Sequence, residues 1–182
     1  MPPLLIHINS YPGVGKLTIG RILAASLGGK LLDNHTIYNV AFAFTEFKSP
    51  AFYQAVRDVR RIAYGLVAAL PPEVPVILTN AHATDSAWGN ACWDAAIDLA
   101  KATGRADYVV VLDCARDENA RRIQSVDREA KRKPRDPTLF RQGPTDRVLL
   151  DRDADMLLRL DVTQMTAEAA ATAIRAWLDK GG

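Results

Sequence analysis

The sequence predicts an α/β domain built on a parallel sheet of five strands, with helices packed against both faces. Three observations predict it. Short apolar runs alternate along the chain with longer segments of helical period, the pattern that strand–helix–strand crossovers produce. The clearest run, Tyr108 to Cys114 (YVVVLDC), is apolar at nearly every position and rich in valine, which suits a strand covered on both sides. The chain has 182 residues, 48% of them hydrophobic and 24% charged. That is enough for one domain with a sizeable core and is far from the composition of disorder.

The elements follow in order. Leu4 to Asn9 (LLIHIN) reads as a first strand running into a Gly/Pro loop, and Leu17 to Leu27 as a helix stopped by Gly28 and Gly29. Lys30 to Asp33 (KLLD) is a second, short strand. Thr36 to Phe47 and Ala51 to Leu70 carry helical spacing, the second opened by the start signal Ser49–Pro50. Val74 to Asn80 (VPVILTN) is a third strand, bounded by Pro71 and Pro72, and alanine-rich Ser86 to Ala102 is the next helix. The valine-rich fourth strand leads into a helix from about Asp117 to Asp127. A short helix is expected over Thr145 to Leu150, then a last strand, Leu157 to Asp161, and a last helix, Ala167 to Leu178. In such a sheet the site lies at the carboxyl ends of the strands.

Composition narrows the function. Lys plus Arg number 23 and Asp plus Glu 21, a net +2, so overall charge gives no reason to expect a nucleic-acid partner. Its distribution is uneven: from Arg121 to Arg141 there are eight basic residues against three acidic ones. Cys92 and Cys114 stand singly and there are three histidines, which argues against a disulfide framework or a zinc cluster and favours a reducing, cytoplasmic setting. Neither an export signal nor a membrane span is expected from the sequence.

The chemistry begins at the end of the first strand, in Ser10 to Thr18 (SYPGVGKLT). A loop that wraps a phosphate needs small residues so that successive N–H groups can curl around it. It also needs a lysine to reach the outer oxygens and a helix whose positive end starts there. Gly13, Val14, Gly15 and Lys16 meet those demands. Ser10 stands where a first glycine is usual, and Leu17 where a Mg²⁺-binding hydroxyl is usual, with the hydroxyl displaced to Thr18. Two roles fit Asp33 on its own chemistry: a carboxylate that holds metal-bound water and orients a hydroxyl nucleophile, or the N-cap of the next helix.

With a strand ending in aspartate after it, this loop resembles the small P-loop kinases, the superfamily of shikimate, gluconate and nucleoside monophosphate kinases. The resemblance implies a three-layer P-loop NTPase fold over residues 1–182, ATP and Mg²⁺ as cofactors, and a small-molecule acceptor. Thr18 resembles the displaced threonine of adenylate kinases, and Lys16 with the backbone from Gly13 to Thr18 would hold the phosphates. Thr18 and Asp33 would serve the metal. His35 falls where a second acceptor-binding group often stands, and Arg57 and Asn80 are further acceptor candidates. The region 34–71, longer than a crossover needs, would be the acceptor-binding insertion, with Phe42, Phe44, Phe47, Phe52 and Tyr53 as its aromatic residues. The basic stretch would be a lid over 122–142, with Arg121 beside the nucleotide and Arg128 as its catalytic arginine, because a guanidinium fork suits phosphoryl oxygens. Thr163, after the last strand, falls where relatives place a loop beside adenine.

Val74 to Asn80 ends in Thr79 and Asn80 where a Walker B acid would stand, which speaks against a hydrolysing motor. Three activities remain open in the sequence: transfer to a small-molecule hydroxyl, a nucleoside or nucleotide kinase, and a nucleotide-binding or NTPase-like regulator without transfer. A monomer or a homodimer is expected.

Overall fold

The first strand, β1 (Leu4–Ser10), is buried at every position because it lies at the centre of the sheet. A computed structural model of the chain describes residues 3–124 and 147–181. The other strands are β2 (Lys30–Asp33), β3 (Val76–Asn80), β4 (Ala106–Asp113) and β5 (Met156–Asp161), in the order β2-β3-β1-β4-β5. All four pairings are parallel. The helices are α1 (Lys16–Leu27), α2 (Asn34–Phe44), α3 (Pro50–Ala68), α4 (Ala87–Ala102), α5 (Arg116–Ile123) and α6 (Ala167–Asp179).

Strand alternation distributes β1 between two layers. Leu4, Ile6 and Ile8 join the main core with Ile19 and Leu23 of α1 and Ile174 and Leu178 of α6. Leu5 joins a second cluster with Leu78 of β3, Val67 of α3 and Leu99 of α4. A third cluster, Ile37, Ala41, Phe52 and Val56, binds α2 to α3 and meets the second through Leu32 of β2, which packs against both. The sheet is thus the middle of three layers, with a small helical annex beyond the ends of β2 and β3.

The local signals act where the chain places them. Gly28 closes α1 with φ 64°, a left-handed conformation that glycine takes without strain. Ser49 caps α3, accepting from the Phe52 N–H, with Pro50 at its first turn. One expected element is not there: Arg147 to Leu150 is not helical. Leu149 forms an antiparallel bridge with Ala83, the Thr84 N–H donates to the Val148 carbonyl at 2.9 Å and the Leu150 N–H to the His82 carbonyl at 3.0 Å. Leu149 and Leu150 are buried, and this backbone satisfies its polar groups against the loop after β3 instead of within a helical turn. No described helix is long and apolar enough to cross a membrane.

Candidate active site

The loop between β1 and α1 is held open by its glycines and by braces from elsewhere. Gly13 and Gly15 have φ of 92° and 113°. A Cβ on Gly13 would stand 2.8 Å from Asn119 Nδ2 and 3.2 Å from Ile123 Cβ, so α5 packs where only glycine fits. Asn119 donates to the Pro12 carbonyl at 2.9 Å, and the buried Tyr11 donates through its hydroxyl to the Arg147 carbonyl at 2.5 Å. At Lys16 the helix begins with no side-chain cap and no acidic residue in its first turn, which leaves its leading N–H groups and positive dipole end facing the loop. Lys16 Nζ donates to the carbonyls of Ser10 and Tyr11 at 3.4 and 3.3 Å, long bonds that an anion can replace. Val14 is buried, Leu17 half-buried and Thr18 exposed.

Asp33 ends β2 in register with Thr79 of β3. Its Oδ1 accepts from the Thr79 hydroxyl at 2.5 Å, and at the N-cap position of α2 its side chain makes no cap bond. Of the two roles open to it, capping is therefore not the one its carboxylate performs. Asn80, next along β3, bonds to His7 Nε2 at 2.6 Å. His7 is fully buried on β1 against Trp93, with ring centroids 4.2 Å apart, and burial lowers its pKa to about 3. Asn9 clamps the same edge: its Nδ2 donates to the carbonyls of His82 and Leu150 at 2.9 and 2.8 Å, and its Oδ1 accepts from the His82 N–H at 2.9 Å.

Beyond these strand ends opens a cavity of about 920 Å³. Tyr38, Phe42, Phe47, Phe52, Tyr53 and Trp88 give it an aromatic wall, and Asn34, His35, Asn39, Lys48, His82 and Arg147 its polar positions. The rings brace one another: Phe52 lies 5.2 Å from both Phe42 and Phe47, and Tyr53 4.7 Å from Trp88, whose Nε1 donates to the Tyr38 hydroxyl at 2.7 Å. Lys48 sits at φ 64°, an uncommon conformation for a residue with a side chain. Burial, and then the electrostatic influence of His7 and of the cationic Arg60 and Lys16, bring His82 down to about 3, so it presents a neutral imidazole. Arg147 is held by Asp85 at 2.5 to 2.9 Å, and these bonds lower the Asp85 pKa.

Of the expected acceptor residues, His35 lines this cavity, whereas Arg57 lines a different groove and Asn80 neither. Phe44 is 85% exposed and takes no part in the wall. On the other side of the loop, Arg122 donates to the carbonyls of Val14, Val162 and Thr163 at 3.0 to 3.1 Å, joining the loop to the turn after β5. Thr163 bridges the same region, accepting from the Ala115 N–H at 2.8 Å and donating to Asp161 at 2.5 Å. Arg121 pairs with Glu118 at 2.7 and 2.8 Å; with Arg122 it holds the half-buried Glu118 down at about 2. Arg128 and all but the first residues of the expected lid lie outside the described residues. Thr79, Tyr38, Trp88 and Arg147 entered no sequence expectation. The Thr79 signal was its hydroxyl at a strand end beside that of Asp33; the other three depend on contacts across the annex.

No protein-family model matches the sequence, and no curated protein does. Solved structures do. A candidate kinase from Chloroflexus aurantiacus is 22% identical, with a TM-score of 0.70 over 100% of this chain and 98% of that one. The gluconokinase of Sinorhizobium meliloti is 17% identical, with a TM-score of 0.61 over 98% and 95% of the two chains. The APS kinase of Mycobacterium tuberculosis, solved with AMPPNP and APS, is 16% identical, with a TM-score of 0.60 over 98% of each. At these identities the likeness establishes the fold: this chain has the architecture of the small P-loop kinases.

Proposed function

We propose that the chain is an ATP-dependent phosphotransferase that moves the γ-phosphoryl group to a hydroxyl of a small molecule held in the aromatic cavity. One observation carries this reading: the braced glycine–lysine loop, the Asp33–Thr79 pair and the cavity meet at the carboxyl edge of one sheet. β3 alone separates β2 from β1, so at about 4.8 Å per strand the Asp33 end stands roughly 10 Å from the loop's strand, room for a phosphoryl group in between.

The residues take these parts. The N–H groups at the start of α1 and the Lys16 ammonium hold phosphate oxygens. Asp33, oriented by the Thr79 hydroxyl, accepts the proton of the acceptor hydroxyl as its oxygen bonds to phosphorus and the bond to the departing diphosphate breaks. Arg128 and its basic neighbours, outside the described residues, would supply positive charge to the transferred group, as the resemblance to the small P-loop kinases implies. Thr18 and Asp33, with the Thr79 hydroxyl that Asp33 already meets, would serve a Mg²⁺ ion that keeps most of its shell as water and phosphate, since hard oxygen donors suit that ion. Such an ion neutralises charge on the phosphates. No group of three or more His, Cys, Asp or Glu able to hold a metal occurs among the described residues.

The aromatic wall favours an acceptor that carries a ring, a nucleoside among them, over an open polyhydroxy acid, since flat apolar faces repay the burial of a ring and not of hydroxyls. A second reading, a nucleotide-binding protein without transfer, draws on Leu17 and on the Asn80 amide being committed to His7. ADP release measured with ATP and Mg²⁺ across sugars, sugar acids, nucleosides and hydroxylated antibiotics separates the two. A kinase gives turnover that depends on one acceptor class, falls in kcat with Asp33→Asn at unchanged ATP affinity, and loses ATP affinity with Lys16→Ala. Equal ATP affinity in folded wild type and Lys16→Ala would sink the loop assignment, and ATP binding without turnover on any acceptor would favour the second reading.

A further inference from the structure

A second groove, of about 870 Å³, runs between α3 and α4. It shares only Tyr53 and Trp88 with the acceptor cavity, so these two rings form the wall between them. Arg57, Arg60 and Arg61 line it from α3, and Ala87, Ala91 and Ala95 give it a smooth apolar floor on α4. No carboxylate lines it among the described residues.

Arg60 is the unusual member. It is 7% exposed, yet among the described residues its guanidinium pairs with no carboxylate. It donates to Cys92 Sγ at 2.9 Å and stands 5.3 Å from the centre of the Trp88 ring. Arg57 stands 5.4 Å from the same ring, likewise with no carboxylate among the described residues. Arg61 has Asp58 at 3.8 Å, on the solvent side. A sulfur and a ring face restore only part of the hydration a guanidinium loses on burial, and most of its five N–H donors want oxygen acceptors.

We propose that this groove binds a small organic anion, whose carboxylate or phosphate takes hydrogen bonds from Arg57 and Arg60 while its apolar body rests on the alanine floor. Two guanidinium groups lining one groove, 5.4 and 5.3 Å from the same ring, can give such an anion charge-assisted, forked bonds. The anion in turn supplies the counter-charge that Arg60 lacks. The site is separate from the phosphoryl-transfer site and stands whether or not transfer occurs.

Calorimetric titration of the full chain with phenyl phosphate, benzoate and the neutral control benzyl alcohol tests this, with either anion sufficient to identify the ligand chemistry. Saturable binding of at least one anion and none of the alcohol is expected. Arg57→Ala and Arg60→Met should each weaken it about tenfold or more, while Lys16→Ala leaves it unchanged, which separates this groove from the phosphate loop. Arg60→Met also reads the role directly: without ligand its thermal midpoint should equal or exceed that of wild type, because removing an uncompensated buried cation relieves the fold. Absence of saturable anion binding would overturn the proposal. So would affinity carried by Lys16 and indifferent to Arg57→Ala, or a lowered midpoint in Arg60→Met, which would make that arginine a structural strut.

Discussion

Asp107 sits at the start of β4, at the edge of the sheet away from the loop, and it should make stability depend on pH. It is 4% exposed, and both its carboxylate oxygens are buried without a hydrogen-bond partner among the described residues. Its own N–H donates to Asp155 at 2.9 Å. Burial, and then the Asp155 charge, raise its pKa from 3.8 to about 7. At about 1.4 kcal/mol per pH unit, ionising it in the fold costs on the order of 4 kcal/mol. The folded state binds this proton more tightly than the unfolded one. Its contribution is therefore fully present below pH 3.8 and is lost as the pH rises to about 7. His7 and His82 act in the opposite direction: neutral when buried, with pKa lowered to about 3, they withdraw stability as the pH falls from 6.5 toward 3. The raw profile mixes all three, so the informative quantity is the difference between Asp107→Asn and wild type. Urea midpoints from pH 4.5 to 8.5 should show the variant more stable by about 2–4 kcal/mol at pH 8, the unpaired amide taking back part of the gain. The difference should shrink toward zero near pH 4.5. A difference that is constant with pH would refute the reasoning.

Thr79→Val keeps the volume of the side chain and removes the hydroxyl that orients Asp33; we expect kcat to fall about tenfold at unchanged ATP affinity, measured on the acceptor found by the screen. Arg122→Ala removes the bonds to Val14, Val162 and Thr163, and chemical denaturation should show a loss of about 2–3 kcal/mol, with weaker ATP binding in calorimetry. Gly13→Ala places a methyl against Asn119 at a left-handed φ, and should lower stability by at least about 1 kcal/mol and ATP affinity with it; a variant indistinguishable from wild type in both assays would mean the loop adapts freely.

Much of this architecture was legible because burial writes directly into sequence. β2, Lys30 to Asp33, was readable to the residue because Gly29 and the start of α2 bound it. Val109 to Leu112 read as a buried strand because no position in it is wet. The failure at Val148 to Leu150 has the same origin: three apolar residues in a row look alike whether they pack as a helix or lie extended, and only the pairing with Ala83 decides. His7 was hidden inside LLIHIN. A polar ring in a buried strand must find a partner, and it takes the Asn80 amide, the very group expected to face the acceptor. Arg57 of α3 was legible as an acceptor candidate, and its neighbours Arg60 and Arg61 share its groove. Which cavity each would face depended on where Trp88 of α4 came to rest, a tertiary fact that no local pattern carries.

The strand order also has a consequence for how the chain is made. β1 leaves the ribosome before the other four strands, yet Leu5 pairs with Val76 on one side and with Asp107 on the other. At a synthesis rate of roughly 5–20 residues per second, the central strand waits on the order of 4 to 20 s for its two neighbours. Until then LLIHIN is an unpaired, sticky segment, and it carries at its end the loop on which the proposed chemistry depends. Handling of the nascent chain between β1 and β4 should therefore bear on the yield of folded protein, because closing such distant contacts is the slow part of folding a parallel sheet.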